Sequence, residues 1–129
     1  MRYLIGFAFA ARLFAQDGIG CIKDMMVPSY THVARRSAEG GDVRARVTIG
    51  WRGHVDQMNT GKADENLAEE VRNFLSKSTT YDPACQGKTV ELIFTFRLEG
   101  EPEPNPPVWV RFQAPNRLVI ISRPRSPDF

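Results

Sequence analysis

A chain of 129 residues suits one domain and leaves little room for two, and its 42% hydrophobic content is enough for a real core. With 17 basic against 15 acidic residues the net charge is +2, too small an excess to argue for nucleic acid. No basic residues are interleaved with aromatics as a base-stacking surface requires, and Arg117, Arg123 and Arg125 read as solvated surface.

Met1-Arg2 opens onto an apolar run from Tyr3 to Ala11 that is too short to span a bilayer as a helix. A positive start, a short apolar middle and small residues near a cleavage point after Ala15 have the layout of a secretory signal, predicted over 1–15. Arg12 and Leu13 depart from that layout, and a core strand or helix is the other reading of the segment. Cleavage would leave an exported chain beginning near Gln16, with no membrane anchor.

The arm 16–27 carries Cys21, one of two cysteines; the other is Cys85. An even, small number in an exported protein permits one disulfide, and two unpaired buried thiols are the alternative. Gly18-Ile19-Gly20-Cys21 hints at a lipid attachment site, although glycine stands where leucine is usual. No further ligands flank the cysteines as a structural zinc needs, and no cofactor is expected.

Pro28-Ser29 starts a predicted helix with Tyr30, Val33, Ala34 and Ser37 on one face, stopped by Gly40-Gly41. From Asp42 to Ile49 apolar and polar residues alternate strictly, which predicts a strand with one covered and one wet face. Gly50-Trp51-Arg52-Gly53 is a tight reversal, and His54 to Asn59 returns as a shorter strand. Asp64 can cap a helix from Glu65 to about Ser78, whose stripe is Leu67, Ala68, Val71, Phe74 and Leu75.

Residues 79–87 read as a loop, and 88–98 as a second long alternating strand with Val90, Leu92, Phe94, Phe96 and Leu98 on one face. The order predicts an α+β fold, an antiparallel sheet with two helices packed on one face. The proline-rich stretch 99–107 lacks ladder donors and reads as a stiff linker. Residues 108–112 and 117–122 flank the turn Gln113-Ala114-Pro115-Asn116 and predict a C-terminal β-hairpin, followed by a frayed tail 123–129.

Catalysis finds no constellation here. His32 and His54 are the only histidines, and Asp56 beside His54 on a strand makes no defined acid–base unit. No nucleophile elbow, phosphate-binding glycine loop or metal-spaced cluster is present, so the chain is read as non-enzymatic. Trp51 at a hairpin tip is either an exposed anchor for a partner or folded back on its hairpin, and Trp109 reads as packing.

Tyr30, Ala34 and Gly41, then Val43, Val47 and Ile49, Gly53 and Val55, Leu67, Val71 and Phe74, Tyr81 with Pro83, and Phe96 with Leu98 follow one another in an order that resembles the TonB C-terminal domain family. The resemblance covers 28–98 and leaves the hairpin 108–122 outside the core. Thr31 replaces the usual proline, Phe74 or Asn73 stands where tryptophan is common, and no transmembrane anchor or Pro/Lys-rich spacer precedes the match. The resemblance implies a periplasmic protein-binding module linked to TonB-dependent transmembrane transport, gripping a short segment of an outer-membrane receptor by strand addition.

Under that implication the candidate edges are the strand carrying Val90, Leu92, Phe94 and Phe96, or the added hairpin, which could occupy the edge a partner uses or create a new one. Trp51 is the candidate aromatic contact, and the partner is a protein or peptide. The competing expectation is a self-associating module, a homodimer formed through a sheet edge with no transport role.

Overall fold

The computed structural model describes residues 20–26 and 40–126. The expected leader 1–15, the expected first helix with Tyr30, His32 and Ala34, and the last residues 127–129 lie outside the described residues. Among the described residues seven strands and one α-helix follow in chain order: β1 (Ile22–Met25), β2 (Gly41–Ile49), β3 (Val55–Asn59), α1 (Glu65–Lys77), β4 (Thr79–Tyr81), β5 (Thr89–Leu98), β6 (Val108–Gln113) and β7 (Arg117–Ser122). The architecture is α+β. Five strands form one sheet in the order β3-β2-β5-β7-β6, and β1 pairs with β4 in a second, small sheet.

The alternation in β2 and β5 sorts their side chains as period two demands. Val43, Ala45, Val47 and Ile49 are buried beside Val90, Leu92, Phe94 and Phe96, while Arg44, Arg46 and Glu91 face solvent. Helix α1 lays Leu67, Val71, Phe74 and Leu75 on that apolar face, and Phe74 meets Phe94 edge to face with ring centroids 5.9 Å apart. Asp64 caps the helix: its carboxylate accepts from the N–H groups of Asn66 (3.0 Å) and Leu67 (3.2 Å), as a first turn with unpaired donors requires.

The last carbonyls of α1 are satisfied from the segment that follows. The Phe74 carbonyl accepts from the Ser78 N–H and the Thr79 hydroxyl, and the Leu75 carbonyl accepts from the Tyr81 hydroxyl at 2.8 Å. Burial pushes the Tyr81 phenol up from 10.0 to about 12. A raised folded-state pKa means stability is whole below pH 10, where neither state ionises, and drains away as pH climbs towards 12. Urea midpoints measured from pH 9 upward should therefore fall in that window for the native chain. Tyr81→Phe should lose about 1 kcal/mol at neutral pH with the hydrogen bond, and its alkaline limb should be flatter; equal limbs would dismiss the assignment.

Residues 79–87 are more than the expected loop. Strand β4 pairs antiparallel with β1, Ile22 opposite Tyr81 and Met25 opposite Thr79. A disulfide joins Cys21 to Cys85, and the Asp82 N–H donates to the Cys21 carbonyl at 2.8 Å. The pairing is non-local, and neither Ile-Lys-Asp-Met nor Thr-Thr-Tyr carries a pattern that announces it.

The sheet is mixed rather than antiparallel throughout. Strand β7 runs parallel to β5, with Ile93 opposite Arg117 and Leu98 opposite Ser122, and β6 pairs antiparallel with β7 on its far side. The proline-rich 99–107 segment cannot supply donors for a tight return beside β5. It crosses two inter-strand spacings, about 10 Å, so that β6 lands two places out and β7 fills the gap.

That segment is fastened as well as stiff. The Glu103 N–H donates to the Pro124 carbonyl at 3.0 Å, the Ser126 N–H to the Glu103 carbonyl at 2.9 Å, and Arg123 pairs with the Glu103 carboxylate at 2.6 Å. Residues 123–126 are thus paired with the linker, not frayed, because Glu103 offers both its main chain and its charge.

Candidate protein-binding edge

A strand can accept a partner only where its outward N–H and C=O groups are free. Strand β5 is an inner strand of the sheet, flanked on both sides over residues 93–96. It pairs with β2 over residues 89–96 and with β7 over residues 93–98. Val90, Leu92, Phe94 and Phe96 are buried core side chains rather than contacts at an open edge. The expectation that they line a partner-binding edge is corrected: the hairpin takes that position, and it does so in parallel.

Among the described residues the edges without a neighbouring strand are β3 and β6, at opposite ends of the sheet. Ile49 exchanges main-chain hydrogen bonds with Lys88 and Gly87, on the β5 side, so the even-numbered residues of β2 face β3. With Arg46 opposite Asn59 and Thr48 opposite Gln57, the outward groups of β3 belong to Asp56 and Met58. The register shifts between Thr48 and Ile49, and the chain leaves the sheet at Thr60. This edge is short, irregular and carries an inherent carboxylate.

Strand β6 differs. The Ile93 N–H donates to the Asn116 carbonyl and the Glu99 N–H to the Ser122 carbonyl, so the even-numbered residues of β7 face β5 and its odd-numbered residues face β6. Trp109, Arg111 and Gln113 stand opposite Ile121, Val119 and Arg117. They therefore turn their main chain inward, and the N–H and C=O groups of Val108, Val110 and Phe112 point outward along a regular stretch. Pro106-Pro107 and Pro115 bound this stretch at both ends.

The side chains on this edge are unusual for a protected one. Trp109 is 49% exposed and Phe112 54% exposed, on opposite faces of the sheet. Arg111 is exposed beside Trp109, and no ion pair of it occurs among the described residues. Other charges of the same face are engaged: Arg46 with Glu91 at 2.8 Å, and Arg117 with Asp42 at 3.5 Å and with the Thr95 hydroxyl. The expectation that Trp109 packs inside is corrected by its exposure. The alternation of Trp-Val-Arg-Phe-Gln, bounded by prolines, was the signal that could have marked the edge.

Trp51 sits on the other side of the molecule, between β2 and β3, in the 3-10 turn Trp51–Gly53. It is 66% exposed, with the Arg52 guanidinium 4.3 Å from its ring centre. Arg52 (φ 59°) and Gly53 (φ 79°) both lie in the left-handed region, and a Cβ on Gly53 would meet the Tyr81 carbonyl oxygen at 2.5 Å. The tip is thus pressed against β4, beside the disulfide, and presents Trp51 outward. It does not fold back on the hairpin. His54 and Asp56 follow it as exposed residues.

Among the described residues no helix is long and apolar enough to cross a membrane, and no group of three metal-ligating side chains occurs. Comparison with curated proteins and with solved structures gives no match. The family description Gram-negative bacterial TonB protein C-terminal matches residues 26–99, which run from the last described residue of the N-terminal arm to the residue after β5. More than half of the 129 residues fall within that match, and the chain belongs to the TonB C-terminal family.

Proposed function

We propose that the domain is a non-enzymatic protein-binding module of the Gram-negative envelope, linked to TonB-dependent transmembrane transport, that takes an extended segment of a partner as an added strand on β6. The family supports the coarse part, since its domains are protein-interaction domains of the envelope. The free edge of Val108, Val110 and Phe112 supports the fine part. Main-chain pairing supplies affinity there, and side chains on alternate positions supply selectivity. A partner residue opposite Arg111 would be acidic, and those opposite Val108 and Phe112 apolar.

In this reading the chain is exported with 1–15 as its leader and works in the periplasm, where a disulfide such as Cys21–Cys85 persists. Residues 28–98 form the family core and the hairpin supplies the docking edge. Trp51 is a second contact, reached by a partner that extends beyond the added strand.

Titrating extended, acid-containing peptides from outer-membrane receptor segments into the isotopically labelled chain tests the reading. Amide shifts should concentrate at 108–113, and Val110→Pro, which removes an outward N–H while leaving the bonds to β7, should abolish them. Shifts confined to β3, or none at millimolar peptide, would overturn it.

A further inference from the structure

We infer that the face of the five-stranded sheet turned away from α1 seats the domain on the surface of an anionic phospholipid bilayer. The inference does not depend on the receptor reading; it follows from where the fold puts its arginines.

Strand register assigns the residues of that face. Asp42, Arg44 and Arg46 of β2 stand beside Thr95, Ile93 and Glu91 of β5. Arg117, Val119 and Ile121 of β7 stand beside Ile93, Thr95 and Arg97 of β5. On β6, Gln113, Arg111 and Trp109 lie opposite Arg117, Val119 and Ile121. Five arginines thus share the face with two carboxylates, and both carboxylates are engaged, Glu91 by Arg46 and Asp42 by Arg117. Arg44, Arg97 and Arg111 are exposed and make no ion pair among the described residues. Thr95 and Val119 lie buried in the middle of the triangle these three outline.

The net charge of +2 conceals this sorting. On the other side of the sheet α1 and its cap carry Asp64, Glu65, Glu69 and Glu70 against two cations, Arg72 and Lys77. A cationic face with an acidic back turns the face towards a negative surface on approach. The spread of the arginines selects the occupant. Arg97 is about 13 Å beyond Arg44 along the strands, and Arg111 is three strand spacings, about 14 Å, to the side. A linear polyanion follows a line of cations, whereas a triangle of them on a flat sheet fits a plane of headgroups. Trp109 stands on the same face at its border, 49% exposed and opposite Ile121, as an indole that settles at a membrane–water interface does. The hollow beside these two adds Glu99 and Arg123, one charge of each sign. Each arginine brought to an anionic surface strengthens binding about fivefold, so a surplus of three gives a weak, reversible association that salt screens.

Co-sedimentation of the full chain with vesicles of one-third phosphatidylglycerol in phosphatidylcholine tests the inference. Binding should occur there and not on pure phosphatidylcholine, and salt of about 0.5 M should release it. Arg44→Glu with Arg97→Glu should weaken binding at least about tenfold, whereas Arg44→Lys with Arg97→Lys should keep it. Both pairs should melt with the native chain, since neither arginine has an ion pair among the described residues to lose. In Trp51→Phe the remaining tryptophan is Trp109, and its emission should shift to the blue on the anionic vesicles. In Trp109→Phe the emission of Trp51, in the tip beside β4, should not. Equal binding to neutral vesicles, indifference to salt, undiminished binding of the glutamate pair, or a shift of Trp51 in place of Trp109 would overturn the inference. Tighter binding to soluble polyglutamate would do so too, by making the face a site for an acidic chain. Val110→Pro should keep vesicle binding while losing the peptide shifts. If vesicles bind but no peptide shifts the 108–113 amides, the receptor reading fails alone; if peptides shift them and vesicles bind nothing, this one does.

Discussion

Replacing Cys21 and Cys85 together by alanine should cost about 2–4 kcal/mol and lower the thermal midpoint by on the order of 10–20 °C. The bridge closes a separation of 64 residues, and a cross-link of that span removes much of the freedom of the unfolded chain. It also holds an element that could not hold itself. Strand β1 has four residues, its sheet partner among the described residues is the three-residue β4, and an isolated two-strand ribbon is marginal in water. Both cysteines are buried in the main core cluster, and alanine avoids stranding a hydroxyl there. The check is a calorimetric melt of the variant beside the native chain with and without reductant. The reduced native chain should melt with the variant, and a variant that melts with the oxidised chain would dismiss the bridge as a constraint. Because Gly53 lies against the Tyr81 carbonyl in β4, loss of the bridge should also loosen the tip that presents Trp51.

What could be read beforehand was whatever short-range chemistry decides. The strict alternation of Val43 to Ile49 and of Val90 to Phe96, the Asp64 cap and the stripe from Leu67 to Leu75 each carry their own period or partner within a few residues. Strand neighbours are another matter, because a strand's own pattern reports which faces are covered and not who lies beside it. Thus β5 looked like a closing edge although two strands flank it. One sign was present. Leu118, Val119 and Ile120 are consecutive and all buried, with Ile121 half-buried after them. Such a continuous apolar run belongs to a strand covered on both faces inside a sheet, often a parallel one, whereas Trp109, Arg111 and Gln113 give β6 the mixed face of a border. Reading β7 as interior and β6 as edge would have given the observed strand order at this end of the sheet. The pairing of β1 with β4 had no comparable sign.

Deleting residues 99–129 should abolish cooperative folding, although the family match ends at residue 99. The deletion strips β5 of its parallel partner and exposes the main chain of Ile93 to Leu98. It removes Leu118, Val119 and Ile120, which at about 1.5–3 kcal/mol for each fully buried side chain amount to most of the stability a small domain has. It also leaves Phe94 and Phe96 beside an open, flat edge, the arrangement that recruits other chains. The truncated chain should give no sigmoidal melt and should precipitate or bind a hydrophobic dye where the full chain does not. Supplying the hairpin as a separate peptide spanning 106–123 should restore a cooperative transition, because β7 docks on β5 through main-chain bonds that an added strand can make equally well in trans. That rescue separates two explanations of a collapse. Recovery by the peptide means that β5 keeps a strand-accepting edge which the hairpin fills in the intact chain. A collapse that no peptide reverses means that the hairpin is needed earlier, while the core assembles. A truncated chain that melts like the native one would make the hairpin an appendage, and β5 would then be the edge open to partners.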